Sequence, residues 1–270
     1  MGKRLFNLFI VLASALILLI LVFFTSGTDE LVKLILMMRY RWIAVAFCCT
    51  LMYWITDAFV IHTITQALVK KQRFRDSFKV TMTGQFFNAI TPFASGGQPA
   101  QVYLMARGGI KAGHAASILV VKSIMYEASV FIYSFTAFVA FLPYFKTRIP
   151  HFVLLYFIGA SINLIVLLMY GLFFFKEKTA NRLINVIFFF LKKIKISKKL
   201  DVFKSKLESG LENFKEGAVK LKNKKGLAIR IFMLQMLQLT FLFSVPFFIY
   251  LAVDAKNPQY LKMLFAQSLS

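Results

Sequence analysis

The stretch Thr83 to Tyr103 reads TGQFFNAITPFASGGQPAQVY, and the placement of every other segment follows from how it sits. Pro92 and Pro99 each lack a backbone N–H and disfavour helix in the residue before them. Gly96 and Gly97 admit conformations closed to other residues. A helix is therefore expected to stop here. The apolar arm before the break, Val80 to Thr91, is only about 18 Å long as helix, and the arm after Pro99 is shorter. Neither crosses roughly 30 Å of hydrocarbon alone. Residues 80–105 must form one broken span or turn back.

Hydrocarbon is the relevant solvent because 59% of the residues are apolar and 16% charged, with a mean hydropathy of +0.70. Soluble chains run nearer half apolar and about a quarter charged. The excess is gathered in runs of membrane-spanning length: Leu5 to Phe24, Trp42 to Leu68, Ala115 to Pro143, Phe152 to Phe175 and Leu227 to Val253. The expected fold is all-α, a polytopic helical membrane bundle forming one transmembrane domain over residues 1–270. MGKR before Leu5 resembles a signal-peptide start, but the apolar run is too long and no A-x-A-like site follows, so it reads as an uncleaved first span. Cys48 and Cys49 are adjacent within a span and offer neither a disulfide framework nor a metal-ligand spacing.

A formal charge of +22 would suit a nucleic-acid partner if it were spread over a soluble surface. In a membrane protein its position along the chain orients the spans. With Lys3 and Arg4 cytoplasmic, the second span returns to the cytoplasm at KKQRFRDSFK, Lys70 to Lys79, followed after the break by Arg107 and Lys111. Lys176 to Lys225 holds fifteen Lys and Arg against five acidic residues. If the break crosses the membrane, that last segment lies outside. If it turns back, all these basic stretches share the cytoplasmic side with the N-terminus, which is the arrangement the positive-inside rule favours.

A hairpin that interrupts its helices at membrane depth implies a cavity. Lipid cannot hydrogen-bond free backbone, so such backbone is tolerated only against protein or water. A further apolar arm, residues 259–270, follows DAKNP at Asp254 to Pro258 and would enter from the opposite side; aligning Phe78 with Tyr260 sets Gln85 on Gln267. Two oppositely inserted hairpins would make an inverted repeat, with the second turn expected at Ser270.

Ionisable residues inside spans mark pathways or sites by default. Asp57 and Glu127 lie near the centres of their spans. Lys122 is close enough to the cytoplasmic end to snorkel, as is Arg230. Lys122 and Glu127 are five residues apart and so sit on different faces of one helix, and both need partners from other helices. His62, His114 and His151 have no metal-like spacing. In residues 176–226, Arg182 to Ile196 is a basic apolar strip suited to an anionic leaflet surface. After it, Leu200, Phe203, Leu207, Leu211, Phe214 and Leu221 recur at amphipathic spacing.

GQFFNAI, TPFASGGQPAQVYL, the short basic loop and the long span after them resemble the first signature of the lysylphosphatidylglycerol synthase transmembrane, or flippase-like, family, which includes the membrane half of the multiple peptide resistance factor. The resemblance implies a multi-pass protein of the bacterial inner membrane, N-terminus cytoplasmic, that moves an anionic or aminoacylated phospholipid between leaflets. Its lipid partner would be phosphatidylglycerol or lysyl-phosphatidylglycerol. Asn88, Thr91, Pro92, Ser95, Gly96, Gly97, Gln98 and Pro99 would line the headgroup cavity. Arg107 and Lys122 would draw in phosphate, helped by free N–H groups at Gly96 and Gly97, and Asp57 or Glu127 would hold a cationic headgroup. Larger members carry a soluble domain that attaches lysine to the lipid from lysyl-tRNA. The enzyme reading, a phosphatidylglycerol lysyltransferase, would therefore need a separate catalytic or C-terminal chain, since the residues here form no catalytic constellation. Polyprenyl-linked sugars are a third cargo class. No cofactor or metal is expected, and no nucleic acid except lysyl-tRNA under the enzyme reading.

The turned-back reading predicts that single cysteines placed on the two flanks of the break, in a chain with Cys48 and Cys49 replaced by serine, react with an impermeant thiol reagent from the same side. Labelling from opposite sides would overturn the assigned orientation.

Overall fold

The computed structural model describes residues 37–69, 72–147, 151–175, 224–253, most of 209–220, and single positions at Met263 and Gln267. The described residues are helical: α1 (Tyr40–Leu68), α2 (Phe74–Ile90), a 3-10 turn (Pro92–Ala94), α3 (Gly97–Arg107), α4 (Ala112–Lys146), α5 (Phe152–Phe175) and α6 (Lys225–Ala252). Four of them, α1, α4, α5 and α6, are long and apolar enough to cross a membrane. The expected spans at residues 42–68, 115–143, 152–175 and 227–253 fall on these helices. The span at 5–24, the strip at 182–196 and all but Met263 and Gln267 of the arm at 259–270 lie outside the described residues.

Helices α1 and α6 run antiparallel along their whole length. Arg39 donates its backbone N–H to the Ala252 carbonyl at one end (2.8 Å), Trp42 stacks on Phe248, and Lys224 reaches the Ala67 carbonyl at the other end (2.6 Å). Helix α4 runs parallel to α6, since Gln235 contacts the Lys122 carbonyl and Tyr133 contacts Thr240 further along both helices. The end of α1 and the beginning of α4 therefore lie at the same end of the bundle. The chain between them enters and leaves at that end, and it carries Lys79, Arg107 and Lys111 there.

That intervening chain is a helical hairpin. Asn88 contacts Gly97, and Gln101 on α3 reaches back to the Val80 carbonyl (3.3 Å), so α2 and α3 are antiparallel. Helix α2 spans about 25 Å and α3 about 16 Å. The first arm starts earlier than the apolar run suggests: Phe74 to Lys79 are already helical, with Asp76 in the first turn, where a carboxylate favours the helix dipole. Pro99 does not break anything. It occupies the first turn of α3, where its missing N–H has no intrahelical acceptor to lose. The interruption is confined to Thr91 through Gly96.

Within it, the left-handed backbone expected of glycine is taken by Phe93 (φ 55°) and Ala94 (φ 52°), while Gly96 has φ −82°. The glycines are required by space. A Cβ on Gly96 would lie 2.6 Å from the Thr91 methyl, and one on Gly97 would lie 2.0 Å from Asn88 Oδ1. Gly84 makes the same allowance for the Gln101 side chain.

Val60, Ile61, Ile64, Val80, Met105, Ile118 and Ile231 form a buried cluster joining α1, α2, α3, α4 and α6. Helix α5 stands apart, packing on α4 through Phe138 and Tyr156 (ring centroids 4.0 Å apart). Of the amphipathic stripe expected between 200 and 221, Phe214 is described and buried. Its segment docks on the start of α4 by small-residue packing: a Cβ on Gly113 would lie 2.1 Å from the Gly210 carbonyl, and one on Gly217 would lie 2.4 Å from Ser117 Oγ. His114 Nε2 lies 3.2 Å from Glu216 Oε2. Hydrogen bonds from Lys220 and then His114 hold the Glu216 carboxyl below its usual pKa.

Gly113→Leu is expected to force the two main chains apart at a cost of about 1–3 kcal/mol, exposing residues 209–220 to added protease. The sign for Glu216 is set by its depressed pKa: its contribution is complete above the unfolded value of about 4.3 and is lost as pH falls through the lower native value. Proteolysis in wild type should therefore accelerate only below that range. Equal cleavage of wild type and Gly113→Leu would contradict the docking.

Candidate functional site

A cavity of about 370 Å³ opens between the hairpin and the spans. Its walls are Tyr53 and Asp57 of α1, Gly84, Gln85 and Asn88 of α2, Ala94 of the turn, Gln98 and Gln101 of α3, Leu119, Lys122, Ser123, Tyr126 and Glu127 of α4, Tyr170 of α5 and Gln238 of α6. Each of α1 to α6 contributes. The polarity arises locally from helix-compatible glutamines, an asparagine and tyrosines set one per turn or so along otherwise apolar helices.

One side is closed electrostatically. Asp57 is 1% exposed, and Lys122 Nζ meets both of its oxygens, at 2.6 and 2.8 Å. Gln238 Nε2 donates to Asp57 Oδ1 at 3.1 Å. Of the two ends of an amide only the N–H can donate to a carboxylate, so this bond fixes the orientation of the Gln238 side chain. Its Oε1 is left buried with no partner among the described residues. Lys122 does not snorkel toward the membrane surface as its position along α4 suggests; the buried carboxylate on α1 is the stronger attraction.

Opposite, Glu127 Oε2 accepts from Asn163 Nδ2 on α5 at 2.7 Å. Asn163 Oδ1 is then another buried acceptor without a partner among the described residues. Lys122 and Glu127 do find their partners on other helices, as the helical spacing requires. The charged side chains on the wall are Asp57, Lys122 and Glu127; with Asp57 and Lys122 paired, the wall is neutral when Glu127 is protonated and carries one negative charge when it is ionised.

Among the twelve residues expected to bind substrate, Asp57, Asn88, Gln98, Lys122 and Glu127 share this cavity. Gln98 Nε2 donates to Ser123 Oγ at 3.1 Å, tying the hairpin tip to α4. Thr91, Gly96 and Gly97 act one step back. The Gly96 N–H is taken by Thr91 Oγ1 (2.9 Å) and the Gly97 N–H by Asn88 Oδ1 (3.0 Å), so the expected anion nest is already occupied by side chains. Pro92 and Ser95 belong to the turn, where Ser95 Oγ donates to the Pro92 carbonyl, and Pro99 opens α3. Arg107 is not in this cavity. It lines a second one, also about 370 Å³, with Gln72, Asp76 and Lys79 at the basic end of the bundle. Lys122 and Arg107 therefore do not converge on one phosphate.

Tyr53, Gln85, Gln101, Tyr126, Tyr170 and Gln238 are wall residues that the inventory of charges passes over. Neutral polar side chains repeated inside a span, such as Gln235 and Gln238, were the available signal. Among the described residues no three His, Cys, Asp or Glu side chains come together to hold a metal.

A helical hairpin inserted among apolar spans, enclosing a polar cavity, defines an all-α polytopic membrane protein with a site inside its bundle. Residues 10–269 match the model of the family described as the lysylphosphatidylglycerol synthase TM region, and the chain belongs to that family. A curated relative, a UPF0104 membrane protein of Archaeoglobus fulgidus, is 23% identical over 196 residues, covering 68% of this chain and 55% of that protein. The chain thus spans about half the length of the relative. No solved structure matches.

Removing one member of the buried pair strands the other. Lys122→Met is expected to cost about 3–5 kcal/mol by leaving Asp57 buried and unpaired, and the double variant Lys122→Met with Asp57→Leu should regain most of it. Thermal unfolding of the detergent-solubilised protein measures both; a double variant no more stable than the single one would contradict the pairing.

Proposed function

We propose that the protein moves a phospholipid with a cationic, lysyl-phosphatidylglycerol-type headgroup between the leaflets of a bacterial inner membrane, without covalent chemistry. The observation that carries this reading is the acceptor-rich wall of the cavity, on which Glu127 is a carboxyl without a paired cation among the described residues. Asp57 is neutralised by Lys122, while the Glu127 carboxyl meets, among the described residues, the neutral amide of Asn163, and Gln238 Oε1 is an additional buried acceptor. An ammonium group supplies a cationic donor to pair with Glu127 and with the buried acceptor at Gln238. A bare phosphate would meet the Glu127 carboxyl, and Lys122, the one cation among the described wall residues, is already paired. Phosphate recognition fits Arg107 and Lys79 better, at the basic end of the bundle.

Family membership supports a lipid partner and a place among lipid-modifying systems. Tyr53, Tyr126 and Tyr170 on the wall offer aromatic faces to a cation as well as hydroxyls. In this mechanism the headgroup exchanges its hydration shell for these acceptors and the acyl chains remain in hydrocarbon. Lysine transfer to the lipid is assigned to a separate chain.

Glu127→Gln should lower outer-leaflet exposure of lysyl-phosphatidylglycerol about tenfold or more at unchanged expression, in cells that already make the lipid. The scale follows from one charge-assisted hydrogen bond, about 1.5–3 kcal/mol. Amine labelling of intact cells reads the exposure; equal exposure would remove Glu127 from the mechanism. New lysyl-phosphatidylglycerol in cells expressing this chain alone would instead favour synthesis.

A further inference from the structure

We propose that Glu127 exchanges one proton for one cationic group, so that passage of a cationic headgroup through the cavity is coupled to counter-movement of a proton. This deepens the lipid-transport reading and rests on it.

The charged and titratable groups facing the cavity are Asp57 and Tyr53 from α1, Lys122, Tyr126 and Glu127 from α4, and Tyr170 from α5. Helices α2, α3 and α6 present neutral side chains to it. The phenols serve as hydroxyl donors and acceptors. Asp57 offers no vacancy, because Lys122 spans both oxygens and Gln238 adds a third hydrogen bond. Glu127 differs: its partner is the Asn163 amide on Oε2 alone, and it forms no ion pair among the described residues. An uncompensated carboxylate at membrane depth is costly. It takes up either a proton or a cation, and it cannot hold both.

The exchange balances without any further reactant. The protonated carboxyl meets an arriving ammonium, releases its proton to water, and the resulting carboxylate pairs with the ammonium. When the cavity opens to the other side, a proton from that side displaces the ammonium and the carboxyl is neutral again. One positive charge leaves for each that enters. An inward proton gradient would therefore drive the cationic lipid outward.

The test uses the full chain reconstituted in phosphatidylcholine and phosphatidylglycerol vesicles doped with lysyl-phosphatidylglycerol, whose outer amines are read with an impermeant reagent. One-for-one exchange predicts that an imposed gradient of about one pH unit shifts the steady-state ratio of inner to outer lipid by about tenfold, since a tenfold activity ratio on one side is matched by a tenfold ratio on the other. Glu127→Gln should abolish that shift. Lipid movement indifferent to the gradient would overturn the coupling and leave transport standing. No movement under any gradient would overturn the transport reading, and with it the coupling of movement to protons. An independent measurement separates proton exchange from movement: infrared difference spectra of the purified chain titrated with lysine dodecylamide. Loss of a protonated-carboxyl stretch on adding the probe, absent in Glu127→Gln, supports the exchange; a stretch that the probe leaves unchanged overturns it.

Discussion

The ion pair between Asp57 and Lys122 is the interaction on which the arrangement of the bundle rests. It joins α1 to α4 at a depth where an unpaired charge is costly, and through Gln238 it also fixes the rotation of α6. Such pairs rarely stabilise a fold relative to an apolar replacement. Their effect is to make one register much better than its neighbours, since a slip of one residue on α1 or α4 strands a carboxylate and a slip on α6 loses the Gln238 hydrogen bond. With α1, α4 and α6 held in register, the hairpin has a fixed wall to pack against, and Gln98 can reach Ser123.

The hairpin shows how an interrupted helix is made tolerable in an apolar setting. The N–H groups freed at Gly96 and Gly97 are recovered by side chains that precede the break, Thr91 and Asn88, and the glycines are there because those side chains need the room. The turn closes on its own polar groups. The cavity's polarity comes instead from the glutamines and tyrosines of the surrounding helices, and its charge from Glu127.

Much of this was legible in the residues alone. The all-α membrane class, the four described spans and the location of the interruption follow from composition, run length and the Pro/Gly cluster, which are local properties. The cross-helix partners of Lys122 and Glu127 were legible only as a requirement: helical spacing shows that five residues separate faces, but not which helix answers. Lys122 illustrates the difficulty, because its distance from the end of α4 favours snorkelling until Asp57 is placed opposite it. Pro99 and the two glycines were read by intrinsic preference, and packing overrode that reading, putting Pro99 in a first turn and the left-handed backbone on Phe93 and Ala94. Arg107 looked close to Lys122 along the chain, yet α3 carries it to the opposite end of the hairpin from Gln98.

Helix α5 supplies Tyr170 to the cavity wall and Asn163 to Glu127, yet it leans chiefly on α4 through one aromatic stack and shows most of its surface to the surroundings. On that side α5 alone stands between cavity and bilayer, joined to α4 by the ring cluster around Phe138 and by the Asn163 to Glu127 hydrogen bond. Displacing that helix would open the pocket sideways, in the plane of the membrane, the direction from which a lipid arrives with its tails still in hydrocarbon.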